Sequence, residues 1–458
     1  MERGFLSEDE DIRTYDGPVV QEIEPAPMRW LYVFVIGLGF FTTGVSWSVY
    51  NSYLPIDFLR PFIIDMGYEA LVSTIVGAIM VLDNVFALVM QPYISARSDK
   101  TRTKWGRRMP YIMIGTPIAA LFFTLIAYGW ALFGFWFMLA MITIFNVAMA
   151  FYRGPVVALM PDVVSSEQRS KANGVINLMG GVGAIYAFGV SPWLYGIEDA
   201  NIGAILGVSA AQAGPVLAFM TTSVIMLVSV LILFLVVKEP EVPPVDLQKP
   251  KEIGIVEAFR QVTSMADKSA LAVLGAIMFW FFGFNALETW FTTYGNLILS
   301  FETNQATFLM TAFSLTFVLF AVPAGFMAGR LGRRNTILAG LVGLIAILAI
   351  AIFITDYWTL FALLGIGGFF WAMINVNSIV IVWELVGKSR LGAGTGMYYA
   401  FSMSAAIFGP LVTGVIFDLT SVALLFPVSI GFLVVALLLT LAIKTGEVGD
   451  EEVSELAA

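Results

Sequence analysis

The sequence contains no cysteine and no histidine, and only 12% of its 458 residues are charged. Without cysteine there can be no disulfide, no thiolate nucleophile and no cysteine-based metal site. Histidine is the side chain that titrates near neutral pH when unperturbed. Because it is absent, any proton that this protein carries must bind a carboxylate whose pKa is raised by burial. Charged residues make up about a quarter of a soluble globular protein, so this composition excludes that class.

The net charge of −9 comes from the two ends of the chain. Acidic residues are concentrated in 1–28 and in 445–458, and both segments have few apolar residues. We expect these segments to be disordered, solvated tails. The sequence pI of 4.7 therefore indicates neither a nucleic-acid partner nor an acidic or basic substrate.

Long apolar runs dominate the rest of the sequence, of which 59% is hydrophobic. Taking about 20 apolar residues for one crossing of a bilayer, the pattern predicts an all-α membrane protein with twelve spans. The predicted spans are 29–54, 69–97, 109–132, 135–160, 170–197, 214–238, 269–299, 304–329, 335–355, 357–387, 391–418 and 420–444.

These spans divide into an N-terminal bundle of six helices at 29–238 and a C-terminal bundle at 269–444. The segment 239–268 between them begins Pro-rich and charged, which predicts a linker. Apolar residues at helical spacing in 253–267 leave two alternatives open, a short helix on the membrane surface or a plain linker.

A basic loop separates the second and third predicted spans. It carries five Lys or Arg residues between Asp99 and Met109, and such loops stay in the cytoplasm. Of the 24 basic residues only Arg60 falls in a predicted outside loop. The predicted outside loops carry acids instead, namely Asp57, Asp65, Glu198, Asp199, Glu302 and Asp356. We therefore predict a multi-pass protein of the cell membrane with both termini in the cytoplasm.

The basic loop has a second copy later in the chain. Gly106-Arg107-Arg108 recurs as Gly332-Arg333-Arg334, 226 residues further on. A repeat of this length predicts two bundles related by an internal duplication, as in many membrane carriers.

The two loops carry a family resemblance. A pattern of Gly-x-x-x-Asp, then a base, then Gly-Arg-Arg between the second and third helices of each half resembles the signature of the major facilitator superfamily. The longer first copy, Met90 to Asp99 followed by Trp105 to Ile112, resembles the sucrose carriers and their bacterial relatives among the glycoside-pentoside-hexuronide cation symporters. The resemblance implies two pseudo-symmetric six-helix bundles, alternating access, a monomer, and proton-coupled symport of a disaccharide or glucoside of the sucrose or maltose type.

Three ionisable residues lie deep within predicted spans, away from the span ends, where each costs at least ~2.5 kcal/mol near the bilayer centre. They are Asp83, Arg153 and Glu288, which we predict to be the proton-coupling residues. Asp83 has a second reading as a structural partner of Arg153. The sucrose-carrier pattern matches Asp162 but would place its Arg at Val157, so Arg153 lies one turn away from the expected position.

Aromatic and amide side chains on several spans suit a neutral ligand rich in hydroxyl groups, because rings pack on C–H faces and amides satisfy hydroxyls. Together with two of the charged residues they form the predicted substrate site. Its members are Trp47, Tyr50, Asn146, Arg153, Asn177, Asn285, Glu288, Trp371, Asn375 and Tyr398.

Two other transport functions remain open. In the sodium-coupled members of the family that this sequence resembles, two Asp one turn apart precede the basic loop. The matching positions here are Ala87 and Gln91. Without these two carboxylates a sodium ion would lack its hard oxygen ligands, so a proton is the favoured coupling ion. Sodium stays an alternative because Asp83 lies one turn before Ala87. A proton-coupled exporter of drugs or lipids is the second alternative. No catalytic constellation, metal site or cofactor is predicted, so we do not expect an enzyme.

The basic loops also predict a gate at the cytoplasmic side. We expect Arg107, Arg108, Arg330, Arg333 and Arg334 to reach Asp162 and Glu384, which end the fourth and tenth spans. Asp99 should face the N-terminus of the eleventh helix at Gly392 to Gly396, where the helix dipole favours an anion. These contacts are expected to form only when the inner ends of the bundles meet, in the outward-open state.

Overall fold

A computed structural model of the chain describes residues 30–164, 169–239, 268–386 and 391–444. Both predicted tails and most of the linker, including the candidate surface helix at 253–267, lie outside the described residues. The described chain contains twelve helical spans that are long and apolar enough to cross a membrane. The predicted all-α fold with twelve spans is thereby confirmed.

The spans, here labelled α1 to α12, begin and end within a few residues of the predicted bounds in most cases. They are α1 Trp30–Asp65, α2 Glu69–Lys100, α3 Met109–Phe133, α4 Phe135–Val163, α5 Gly174–Tyr195, α6 Ala210–Val236, α7 Ser269–Leu297, α8 Thr303–Leu331, α9 Arg333–Ala351, α10 Tyr357–Leu385, α11 Gly394–Leu419 and α12 Val422–Leu441.

The first span, α1, extends to Asp65, well beyond the predicted end at residue 54. A loop was expected after residue 54, but the chain continues as a π-helical stretch, Leu54–Leu59, and then as α-helix to Asp65. Pro55 lies in the first turn of the π-helical stretch, where its missing N–H costs nothing. Asp57 and Arg60 are therefore residues of a helix, and their assignment to an outside loop was wrong.

Each half of the chain forms one bundle with the same internal pairing of helices. In the first half α1 packs on α5 and α6, while α4 packs on α2 and α3. In the second half α7 packs on α11 and α12, while α10 packs on α8 and α9. The second set repeats the first with six added to every helix number, which confirms the pseudo-symmetric fold.

Glycines allow a close contact between α1 and α5. A Cβ added at Gly183 would lie 2.7 Å from the carbonyl oxygen of Phe41 and 2.8 Å from the backbone nitrogen of Val45. A larger residue at Gly183 would therefore force the two helices apart. Small residues at such contacts let the backbones of two membrane helices approach closely.

The two bundles meet mainly through α2 against α11 and α5 against α8. We call the side of the helical layer that carries 101–108 and Gly332 the basic side, and the opposite side the acidic side. Three hydrogen bonds that join the bundles lie at the acidic side. They join Asp418 to Ser73 and Thr74, and Thr303 to Asp57.

Candidate functional site

Glu288 on α7 lines a cavity between the two bundles. The cavity has a volume of about 110 Å³, and Trp371 of α10 is part of the same wall. The N-terminal bundle contributes α5 and the C-terminal bundle contributes α7, α8 and α10, so both halves of the protein enclose the space. Its remaining lining is Gly181, Ala184, Phe188, Phe284, Met310, Phe313, Ser314 and Phe317.

The polar neighbour of Glu288 is the side-chain amide of Asn51 on α1. This contact crosses from one bundle to the other, so the Glu288 carboxyl lies at the interface between the bundles. Asn51 was not among the predicted site residues. Its position one turn after Trp47 on the same face of α1 is the signal that could have identified it.

Asp83 lies beside a one-residue interruption of α2 that the sequence pattern did not predict. Helix Val72–Met80 ends before Val81, and Leu82–Lys100 begins directly after it. Asp83 thus occupies the first turn of the second segment, where the helix dipole favours an anion. Its Oδ1 atom accepts a hydrogen bond of 2.8 Å from the Asn84 side-chain amide.

The three predicted coupling residues come together as one electrostatic group. Asp83 lies within electrostatic reach of both Arg153 and Glu288. Among the described ion pairs none joins Arg153 to either acid. Direct pairing of Arg153 therefore stays a prediction for another state of the transport cycle.

The N-terminal bundle contributes an aromatic and amide cluster to the predicted substrate site. Trp47 lies edge-on to Tyr50, with ring centroids 5.3 Å apart, and both rings pack on Phe145. The Asn146 amide donates to the Tyr50 hydroxyl over 3.5 Å. The Nε1 atom of Trp47 and the Oδ1 atom of Asn146 are buried without a protein partner, and neither residue is part of the cavity wall that holds Glu288.

The C-terminal bundle contributes a stacked platform. Trp371 is parallel to Phe284, with ring centroids 4.2 Å apart, and Phe281 lies edge-on to Trp371. The Tyr398 hydroxyl is 3.0 Å from the hydroxyl of Ser378. These contacts bring the predicted residues Trp371 and Tyr398 to the same part of the bundle.

The other predicted substrate residues have different outcomes. Asn285 donates its amide to the Phe281 carbonyl of its own helix, at 2.7 Å. Arg153 and Asn375 each lie nine residues before the acid that ends their helix, so they occupy equivalent places in the two halves. Asn177 belongs to α5, but its side chain is outside the described residues.

At the basic side, both arginines of the first loop bind Asp162. Arg107 donates to the two carboxylate oxygens over 3.1 and 2.5 Å, and Arg108 donates to Oδ2 over 2.8 Å. Arg108 also bonds Asp99, Ser98 and the Ser95 carbonyl. The predicted contacts with Asp162 are present, but they lie within one bundle.

Glu239, which the sequence analysis assigned to the linker, caps the N-terminus of α3. Its carboxylate accepts the backbone N–H groups of Arg107, Arg108 and Met109 at 2.6 to 3.0 Å. Gly106 makes this approach possible, since its φ of +106° suits glycine and an added Cβ would lie 2.5 Å from the Glu239 carboxyl carbon. The glycine of the Gly-Arg-Arg loop is thus required by an acid 133 residues later in the chain.

The second basic loop differs in its partners. Arg333 pairs with Glu384, as predicted. Arg334 instead donates to the Thr440 and Leu441 carbonyls at the end of α12, at 3.3 and 2.9 Å, and Arg330 is exposed. Lysine or arginine at a helix C-terminus satisfies its unpaired carbonyls.

One part of the predicted gate needs correction. The arginine contacts with Asp162 and Glu384 each join residues of a single bundle, so they do not depend on the basic ends meeting. Residues 391–393, just before α11, have side chains outside the described residues, and Asp99 pairs here with Arg108 of its own bundle. Its approach to α11 stays a prediction for the opposite state.

Comparison with known proteins supplies the class. A family model described as MFS/sugar transport protein matches residues 35–424. The chain therefore belongs to this family of major facilitator transporters, and it is not an enzyme. The general alpha-glucoside permease of Schizosaccharomyces pombe is 26% identical over 292 residues, covering 58% of this chain and 48% of the permease.

Other relatives match shorter segments. The sucrose transport protein SUC3 of Arabidopsis thaliana is 26% identical over 161 residues, covering 30% of this chain and 25% of SUC3. The alignments thus span from a quarter to about half of the length of these two curated relatives. A bacterial homologue of the human lysosomal transporter Spinster, in an inward-facing and occupied conformation, has the same fold, with a TM-score of 0.67 at 14% identity over 92% of this chain and 95% of the homologue.

Proposed function

We propose that the protein carries a disaccharide or related glucoside across the cell membrane in symport with protons. The observation that supports this most is the position of Glu288, an acid in a cavity walled by aromatic rings from both bundles. Aromatic walls suit the C–H faces of a pyranose, and a carboxyl and amide suit its hydroxyls. The names of its relatives, a sucrose transporter and an alpha-glucoside permease, agree with this substrate class.

The same geometry supports a route for coupling. Glu288 belongs to the C-terminal bundle, and its polar neighbour Asn51 belongs to the N-terminal bundle. A proton on Glu288 changes the carboxylate into a group that both donates and accepts, which alters its contact with Asn51 and with a sugar hydroxyl. Proton and sugar binding would then bias the same movement of the bundles.

In this proposal the basic side faces the cytoplasm, as the distribution of arginine and lysine predicts. The structure, hydrogen-bonded between bundles at the acidic side, then corresponds to a state closed toward the outside. Asp83 lies within electrostatic reach of both Glu288 and Arg153, so Asp83 would receive the proton from Glu288 while Arg153, which keeps its own proton, would balance the charge.

Uptake of labelled sugars into proteoliposomes tests the proposal. We expect sucrose or maltose to accumulate inside the vesicles when the external medium is more acidic than the lumen. When only a sodium gradient is present, we expect the sugar to equilibrate without accumulation. Accumulation driven by sodium would assign the coupling ion to sodium. Failure of the whole sugar panel, with movement of an amphipathic drug instead, would refute the sugar assignment.

A further inference from the structure

The acidic side is held closed by a carboxylate that belongs to the opposite bundle. Asp418, the next-to-last residue of α11, accepts the backbone N–H of Ser73 at 2.9 Å through Oδ1 and that of Thr74 at 2.6 Å through Oδ2. These N–H groups lie in the first turn of helix Val72–Met80, where they have no partner within the helix. Asp418 therefore caps the N-terminus of α2 across the interface between bundles.

The backbones around this cap are in close contact. A Cβ added at Gly77 of α2 would lie 3.0 Å from the Pro410 carbonyl oxygen, and one at Gly414 of α11 would lie 2.5 Å from the Ser73 carbonyl oxygen. Arg60 lies within electrostatic reach of Asp418, so a cation helps to balance the capping carboxylate. Separation of the bundles at this side would break both hydrogen bonds and expose the glycine contacts.

A second carboxylate crosses the interface nearby. Asp57, in the π-helical end of α1, accepts the Tyr195 hydroxyl at 2.5 Å and the Thr303 hydroxyl at 2.9 Å. Thr303 opens α8 in the other bundle, while Tyr195 ends α5 and stacks on Tyr53, with ring centroids 3.9 Å apart. This contact joins three helices at the same side as the Asp418 cap.

We propose that Asp418 is the principal gating residue of the acidic side, and that Asp57 is its companion. Each makes hydrogen bonds between bundles that can exist only while this side is closed, so each stabilises the closed state relative to the open one. The antiparallel pair of α2 and α11 would then carry one aspartate for each side of the membrane, since Asp99 is next to last in α2 as Asp418 is in α11.

The absence of cysteine makes the proposal directly measurable. Spin labels on introduced cysteines would report the distance between bundles, with Tyr68→Cys and Phe353→Cys at the acidic side. A second pair, Lys104→Cys and Leu331→Cys, would report the basic side. All four positions are exposed, so labelling should disturb little.

We expect Asp418→Asn to lower the ratio of closed to open molecules at the acidic side by about tenfold, because hydrogen bonds to a charged acceptor are the strong ones. The basic-side distance should shorten in the same molecules. Asp418→Glu, which keeps the charge, should retain most of the wild-type distribution. The distances are measured without substrate, so the result is independent of which sugar or ion the protein carries.

Asp356 provides the matched control. It lies in an exposed loop at the same side, its carboxylate bonds the first turn of its own helix, and the Thr359 hydroxyl holds the pKa of Asp356 below its ordinary value. Asp356→Asn should therefore leave both distances unchanged. An unchanged distribution in Asp418→Asn, or an equal shift in Asp356→Asn, would overturn the proposal.

A variant of the partner helix keeps the test decisive if Asp418→Asn does not fold. Thr74→Pro removes one donated N–H in the first turn of helix Val72–Met80, where that N–H has no partner within the helix. It should shift the acidic-side distance in the same direction as Asp418→Asn. A wild-type distance distribution in Thr74→Pro would count against the cap.

Discussion

The contact between Gly106 and Glu239 yields a quantitative prediction about the first basic loop. Gly106→Ala forces a side chain into a backbone conformation with φ of +106°, at a cost of about 1–2 kcal/mol. The new Cβ would also lie 2.5 Å from the Glu239 carboxyl carbon, so that carboxylate must move away from α3. Loss of its hydrogen bonds to three backbone N–H groups costs about 1–3 kcal/mol more.

Glu239→Ala removes the same hydrogen bonds and nothing else from this contact, so it should cost about 1–3 kcal/mol by itself. The double variant should then lose about as much stability as Gly106→Ala alone, since the contact can be lost only once. The coupling energy of the cycle should be roughly 1–3 kcal/mol, as for residues in direct contact.

Reversible unfolding in mixed micelles with increasing SDS, followed by circular dichroism, would measure these differences. Gly67→Ala is the control, because Gly67 has a φ of +84° but nothing within 4 Å of an added Cβ. It should show the conformational cost without any coupling to Glu239. Strict additivity of Gly106→Ala and Glu239→Ala would refute the reasoning.

Three further predictions concern other parts of the protein. Asp162→Asn should cost up to roughly 3 kcal/mol in the same unfolding assay, because it leaves Arg107 without its anion and Arg108 with Asp99 alone. Arg153→Lys should lower the rate of sugar uptake at least severalfold while leaving the unfolding curve unchanged, since an ammonium cannot replace the guanidinium fork. Gly183→Leu should prevent stable assembly of α1 with α5, seen as loss of a monodisperse peak in size-exclusion chromatography.

Much of the fold could be predicted because the bilayer imposes strict rules on the sequence. Apolar runs had to be helices of a fixed minimum length, and arginine and lysine marked alternate loops. The prediction failed at Leu54 to Asp65, where Pro55 and Asp57 read as a loop. A π-helical turn accommodates both, since the proline has no N–H to lose there and the acid finds hydroxyl partners on two other helices.

The candidate site was predictable in its chemistry but not in its pairings. Rare ionisable residues within spans identified Asp83, Arg153 and Glu288 without any structure. The partners of other acids depend on which helices meet: Asp418 caps residues about 345 positions earlier, and Glu239 caps residues about 130 positions earlier. No local pattern in the sequence carries that information. Sequence reasoning therefore treated Glu239 as part of a linker and made no use of Asp418.

The central claim, that Glu288 couples a proton to sugar transport, is tested most directly by Glu288→Gln in proteoliposomes. The substitution keeps the size and hydrogen-bonding capacity of the side chain but removes its titration. We expect it to abolish accumulation of sugar driven by a pH gradient, while exchange of labelled for unlabelled sugar across the membrane partly persists. Glu198→Gln, in an exposed loop, should accumulate sugar like the wild type. Accumulation at the wild-type level in Glu288→Gln would contradict the account.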